Sequence, residues 1–316
     1  MARQPMDTQD KLKIINADPA LWLKNFVKIT DAEGKIIPFV LNSEQGDFLS
    51  HKGRYNIILK SRQLGMTTVM LGLMLWSAHL KSKSNYMMLS YDTDSVQNIF
   101  NRLKQMYESI PDKYRIPEKR NNKMELLLEN GSRIAVKVCG YKTVGRSFTN
   151  EIIHCSEFAF WSEQQQEKGL LALEQSLNKS DEAFICIEST ANGIGNNFYK
   201  IFNAAIKGHS KYKAFFYNWY KGSGAKSQFK NEVHIAVKWH SKGIAGKLHE
   251  IDLDPYQRKL FDDGCTLRQL MWREYKLQDI SEEEFQQEFP SFPDEAFITT
   301  NTGVFDALTI TQRFKY

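Results

Sequence analysis

A regular alternation of short apolar runs with helical patterns constrains this chain more than any other feature. Strand-like runs lie at 55–59, 86–90, 124–129, 133–138, 151–155 and 183–188. Helical patterns fall between several of them, at 67–80, 95–110, 163–177 and 196–206. The strands are nearly continuous in apolar residues, as "IIL" at 57–59 and "EIIHC" at 151–155 illustrate. Strands of that kind are buried on both faces, which calls for helices above and below a parallel sheet. The expected fold class is therefore α/β, with a mainly parallel central sheet flanked by helices. A helix near 19–29 and a short second one starting at the cap residue Asn42 come before it.

Beyond residue 207 the alternation fades. The segment "YKGSGAKSQFK" (220–230), rich in Gly, Ser and Lys, reads as a loop. Residues 208–300 read as a smaller mixed region with a helix at 266–277. The expected organisation is a core at 1–207, a smaller C-terminal subdomain at 208–300, and the start of a linker at 301–316.

Composition places the chain among globular proteins, with 42% hydrophobic and 25% charged residues. No apolar run reaches the roughly 18 residues needed to cross a bilayer, and the opening MARQPMDTQDK lacks the apolar segment of a secretion signal. A soluble, intracellular protein is expected. Cys139, Cys155, Cys186 and Cys265 form no C-x-x-C pair, which argues against a zinc site or disulfide framework; they read as small core residues. Charge is uneven. From Lys200 to Lys247 ten lysines stand against one acidic residue, Glu232, whereas from Glu250 to Glu295 thirteen acidic residues stand against five basic ones. Such a lysine-rich stretch is either a solvated surface or a face that attracts a polyanion.

The stretch "IILKSRQLGMTT" (57–68) has the form of a phosphate-binding loop with its lysine displaced. The usual pattern, G-x-x-x-x-G-K-[ST], is met by Gly65 and Thr67, but Met66 stands in the lysine position and Lys60 in that of the first glycine. A buried strand running into Ser61, Arg62, Gln63, Leu64, Gly65, Met66, Thr67 and Thr68, and then into an apolar helix, is nonetheless the right setting. Backbone N–H groups at the turn and the positive end of the helix can hold phosphates. The Thr67 hydroxyl sits where Mg²⁺ is coordinated. A cation is still required as charge develops in phosphoryl transfer, and Lys60 and Arg62 are both candidates. "EIIHCSEFAFW" ends a buried strand in Ser156 and Glu157. A carboxylate just past such a strand can orient and polarise the attacking water. Ser156 replaces the usual aspartate and so reaches the metal only through a water. On the next strand, "FICIESTANGIGNNFYKIF" (184–202) has small polar residues followed by Asn-Gly, which suit a γ-phosphate sensor as well as an ordinary βα turn.

With "LNSEQGDFL", "KSRQLGMTT", "VGRSFTNEIIHCSEFAFW", "STANGIGNNFY" and the late "FQQEFPSFPDEAF" in this order over residues 40 to 297, the chain resembles the large terminase subunit of tailed bacteriophages, the DNA-packaging motor. The resemblance implies a P-loop NTPase of the ASCE type that hydrolyses ATP with Mg²⁺. Phosphate loops in that family often carry the lysine at the start or an arginine inside, which fits Lys60 and Arg62. By the same resemblance Gln45 contacts adenine, and Arg146, eleven residues before Glu157, completes the site of a neighbouring subunit. Ser189, Thr190 and Asn192 match the segment that couples hydrolysis to movement. The implied partners are double-stranded DNA, the portal protein of the procapsid, the small terminase subunit and further copies of the chain in a ring. No membrane is involved, and the implied setting is the cytoplasm of an infected bacterium. The family also carries an RNase H-like nuclease domain, which would begin near "GVFDALTITQRFKY" (303–316); nuclease activity is not expected of these residues.

Other classes leave different marks. A superfamily 2 helicase shows an Asp-Glu-x-[His/Asp] box and a second motor domain, and neither is found. A non-hydrolysing assembly module keeps the loop without needing Glu157. A small-molecule kinase requires an acceptor pocket, for which the residues give no sign.

Overall fold

The structure is a computed structural model and describes residues 7–122, 124–139, 148–242 and 248–297. The elements begin with α1 (Thr8–Ala17), α2 (Pro19–Phe26), β1 (Lys28–Thr30), β2 (Ile36–Pro38), α3 (Ser43–His51), β3 (Tyr55–Lys60), α4 (Met66–Leu80), β4 (Asn85–Ser90) and α5 (Thr93–Glu108). There follow β5 (Glu118–Asn121), β6 (Glu125–Leu128), β7 (Arg133–Val138), β8 (Ile152–Ser156), α6 (Leu170–Gln175), β9 (Phe184–Ser189), α7 (Asn197–Ile206) and β10 (Lys213–Tyr217). The last helices are α8 (Ser223–Gln228), α9 (Lys230–Lys242), α10 (Pro255–Asp262), α11 (Leu267–Lys276), α12 (Glu282–Glu288) and α13 (Pro293–Ala296).

The large sheet has the strand order β10-β3-β9-β8-β4-β7-β6-β5. Strand β4 runs parallel to β7, with Asn85 opposite Arg133, and parallel to β8, with Tyr86 opposite Ile152. Antiparallel pairing is found where β6 meets β7 and β5. Every residue of β8 and β9 is buried, and in β3 and β4 only the first residue is partly exposed. Burial on both faces is what the continuous apolar runs foretell, and the α/β class with a mainly parallel sheet is observed.

Two compact units divide the chain, Met1–Asn56 with Gly65–Ile187 and Ile57–Leu64 with Glu188–Tyr316. In the first, α4 is apolar on nearly all sides, burying Val69, Met70, Leu71, Leu73, Met74 and Leu75, as a helix enclosed by protein must. Helix α5 instead buries one stripe, Val96, Ile99, Phe100, Leu103, Met106 and Tyr107. In the second, an aromatic core gathers Trp219, Phe229, Trp272 and Phe285, with the Trp219 and Trp272 rings 5.1 Å apart. All four cysteines are buried and form no disulfide among the described residues. Burial pushes the Cys139 and Cys265 thiols up to about 12, so they stay protonated and behave as the small core residues expected. No helix among the described residues is long and apolar enough to cross a membrane.

Several local readings change. Within 220–230, expected as a loop, Ser223–Gln228 is helical. Ala225 and Phe229 are buried four residues apart, and this tertiary anchorage outweighs the weak helix propensity of Gly and Ser. The basic stretch 118–121 forms edge strand β5, paired antiparallel with β6. Charged side chains suit an exposed edge strand. Helix 163–177 is interrupted, with a π-turn at Gln165–Gly169 leading into α6. Helix 19–29 stops at Phe26, and β1 follows.

Candidate functional site

The loop after β3 is shaped by its backbone. Gln63 has φ 61° and Gly65 φ 77°, so the chain turns twice through the left-handed region before α4 begins. Gly65 is the N-cap of α4 and offers no side-chain cap. The first-turn N–H groups of Met66, Thr67 and Thr68 therefore have no intrahelical acceptor, and they stand at the positive end of a 15-residue helix. Met66 is buried in the core, as is Leu64. In the position of the absent lysine the backbone thus directs its side chain inward, and of these two residues only main-chain groups are available to a phosphate. Thr67 and Thr68 are partly exposed.

In the first unit, Gln45 braces this turn. Its Oε1 accepts from Asn42 N at 3.1 Å in the capping box of α3, and its Nε2 donates to Gly65 O at 2.8 Å. A Cβ added at Gly65 would lie 2.8 Å from Gln45 Nε2. Gly65→Ala thus combines a left-handed backbone with a steric clash, and it is expected to cost about 1–3 kcal/mol of stability. Urea denaturation of the variant measures this; an unchanged midpoint would show that the loop relaxes freely.

Also in the first unit, β8 ends at buried Ser156, and Glu157 takes φ 50° and ψ 46°. A left-handed conformation is uncommon for glutamate. It persists because the next residues are held firmly. Phe158, Ala159 and Trp161 are buried, the Phe158 and Trp161 rings are 4.9 Å apart, and Trp161 Nε1 donates to Ser156 O at 3.1 Å. The corner leaves Glu157 partly exposed just beyond the strand.

In the second unit, Lys60 Nζ lies 3.1 Å from Glu188 Oε2 with side-chain exposures of 6% and 0%. Ser61 N donates to Tyr217 O at 2.8 Å. The Ser61 Oγ is buried and has no hydrogen-bond partner among the described residues. Arg62 is held twice by the end of α12, since its backbone N donates to Glu288 O at 3.0 Å and its Nη1 lies 3.1 Å from Glu288 Oε2. Gln228 of α8 donates to the Gln63 side chain. Glu188, Gln228 and Glu288 escape a sequence reading based on the loop alone. The one signal for Glu288 was its place in "FQQEFPSFPDEAF".

Ser189 and Thr190 are buried and Asn192 is exposed. The Asn196 side chain donates to Asn192 O at 2.7 Å and accepts from Tyr199 N at 2.9 Å, so it joins this segment to the start of α7. Arg146 lies outside the described residues. The described lysines at 200, 207, 211, 213, 221, 226, 230 and 238 are all exposed.

A helix N-terminus without a side-chain cap, a buried hydroxyl with no partner among the described residues and a partly exposed threonine fit a nucleotide phosphate and its Mg²⁺, a metal that takes few protein ligands when phosphates supply the rest.

Two solved structures share the fold. The Thermus phage P74-26 large terminase ATPase domain is 15% identical, with a TM-score of 0.55 over 82% of this chain and 95% of that one. The HK97 bacteriophage large terminase is also 15% identical, with a TM-score of 0.54 over 87% of this chain and 54% of that one. Residues 57–288, most of the chain, match the family described as terminase large subunit, T4likevirus-type, N-terminal. The chain therefore belongs to the large terminase family, of which it carries the N-terminal, T4-like-virus-type region.

Proposed function

We propose that this chain is the ATP-hydrolysing motor domain of a viral packaging terminase and couples hydrolysis to translocation of double-stranded DNA into a procapsid. The observation that carries the reading is the loop 61–68, where a doubly left-handed turn opens a helix without a side-chain cap and buried Ser61 Oγ has no partner among the described residues.

In this reading, the N–H groups of residues 65–68 hold the phosphates, with Ser61 and Gln63 alongside and the Thr67 hydroxyl directed to Mg²⁺. Thr67, and Ser156 through a water, would hold Mg²⁺, which when bound would supply neutralisation of phosphate charge. The Gln45 amide has two donors and two acceptor positions, of which its contacts to Gly65 and Asn42 use one each. The remaining pair matches adenine N7 and N6. Glu157 orients a water and accepts its proton as the water oxygen bonds to the γ-phosphorus. The bond from that phosphorus to the bridging oxygen breaks, and ADP departs. Lys60 or Arg62 supplies the cation for the charge that develops. Arg146 completes a site, its own or that of a neighbour. Ser189, Thr190 and Asn192 report loss of the γ-phosphate to α7 through Asn196 and onward to 208–300, the lid subdomain that follows a core at 1–207. Exposed lysines hold DNA through its phosphates without sequence preference. The portal, the small subunit and further copies of the chain in a ring complete the motor in the host cytoplasm.

The test is phosphate release from ATP and Mg²⁺ as a function of protein concentration. Specific activity is expected to rise with concentration if neighbouring chains share sites. A folded chain that releases no phosphate at any concentration, with or without DNA, overturns the reading.

A further inference from the structure

The ends of β4 and β8 bring two serines side by side within the first unit. The strands run parallel, with Tyr86 opposite Ile152 and Leu89 opposite Cys155. The next step sets Ser90, the last residue of β4, beside Ser156, the last of β8. Paired residues of neighbouring strands point to the same face of the sheet. On its other side Ser90 is held by β7, in register with Val138 and through a 2.8 Å bond from Cys139 N to Ser90 O. Its backbone is thus fixed, and only the hydroxyl can turn. Ser90 is 1% exposed, and its Oγ has no hydrogen-bond partner among the described residues. A buried hydroxyl without a partner is unfavourable, and alanine would serve packing alone better. Just beyond the two serines, the rings of Tyr91 and Phe160 lie 6.2 Å apart. An aromatic contact therefore spans the two corners and holds the spacing of the strand ends.

We propose that Ser90 is a positioning residue, whose hydroxyl shares with that of Ser156 the water through which Ser156 reaches Mg²⁺. This rests on the ATPase reading above and deepens it by adding a residue to the outer shell of the metal. Neighbouring strands lie about 4.8 Å apart, a separation that one water spans with bonds of about 2.8 Å to each hydroxyl. An ordered water needs about two to four polar partners, so one serine does not hold it alone. An aspartate at 156 would offer such a water two oxygens. Serine offers one, and Ser90 supplies the second. The water donates one O–H to each serine oxygen, which turns its own lone pair toward the cation. Mg²⁺ keeps several of its waters when bound beside phosphates, so a protein that orients one of them orients the ion.

The experiment compares wild type with Ser90→Ala by calorimetric titration with a non-hydrolysable ATP analogue, once with Mg²⁺ and once with EDTA. With Mg²⁺ the variant is expected to bind about two- to tenfold more weakly, the range for losing one neutral hydrogen bond. With EDTA the two proteins are expected to bind alike. Ser90→Thr keeps the hydroxyl and is expected to restore the Mg²⁺-dependent affinity. Because one water serves both serines, Ser156→Ala is expected to give a loss of similar size, and the double variant no more than the larger of the two. The urea midpoint of Ser90→Ala is expected to hold or rise, since no partner is stranded. A packing role would instead lower the midpoint and weaken binding equally with and without Mg²⁺, which overturns the proposal. So does unchanged affinity with Mg²⁺, a double variant whose losses multiply, or a Ser90→Thr chain that behaves like Ser90→Ala. If Ser90→Ala does not fold, Ser90→Cys serves in the same comparison, since its thiol is a weak hydrogen-bonding group. A wild-type chain that binds no analogue with Mg²⁺ is a different failure, that of the ATPase reading itself.

Discussion

Glutamine in place of Glu157 is expected to leave ATP binding intact and to lower turnover by about 10²–10⁴-fold, the range for losing a general base. The substitution keeps side-chain size, so the left-handed corner at φ 50° and the buried Phe158 and Trp161 that enforce it remain. Only proton acceptance is removed. Calorimetric titration with ATP and steady-state phosphate release separate the two effects. Hydrolysis at the wild-type rate would remove Glu157 from the role assigned to it. Loss of binding together with turnover would show that the corner, not the carboxylate, is what matters.

The second large effect separates the two cations. Arg62→Ala is expected to lower kcat by about 10³–10⁵-fold, as removal of a catalytic arginine does in related phosphoryl-transfer sites. Stability should move by less than about 1 kcal/mol, because the pair with Glu288 is exposed. Lys60→Ala is expected to do the reverse at the level of folding and cost about 3–5 kcal/mol, since the buried Glu188 carboxylate loses its ammonium partner. Replacing both partners, as Lys60→Met with Glu188→Met, should restore most of that stability. Denaturation midpoints and kcat per folded molecule for the three proteins decide the matter. If the double variant is stable but turns over no ATP, Lys60 is the phosphate cation and Arg62 is not.

Much of the sheet is legible from the residues because burial on both faces leaves an unambiguous mark. The runs at 55–59, 86–90, 133–138, 151–155 and 183–188 appear as β3, β4, β7, β8 and β9 within a residue or so at each end. Local capping chemistry is equally plain, since Asn42 does cap α3. The region after 207 was less legible. Helices α8 and α9 begin in a stretch rich in Gly, Ser and Lys, where helix formation depends on burying Phe229 and Ala236 in a core with aromatic residues far along the chain. Period and propensity do not record such long-range burial.

The same division runs through the candidate site. The order of residues by itself determined where a phosphate loop is expected and that Met66 stands in the lysine slot of its pattern. It also determined that a glutamate follows a buried strand and that two basic residues flank the turn. These are properties of covalent spacing and local backbone geometry. Only the tertiary structure decided what each basic residue is paired with. Glu188 and Glu288 are 128 and 226 positions from Lys60 and Arg62, and no local pattern connects them. Depth of burial then separates their consequences, because the dielectric around a pair sets the cost of opening it. Lys60 lies in a nearly solvent-free pair and Arg62 in a partly exposed one.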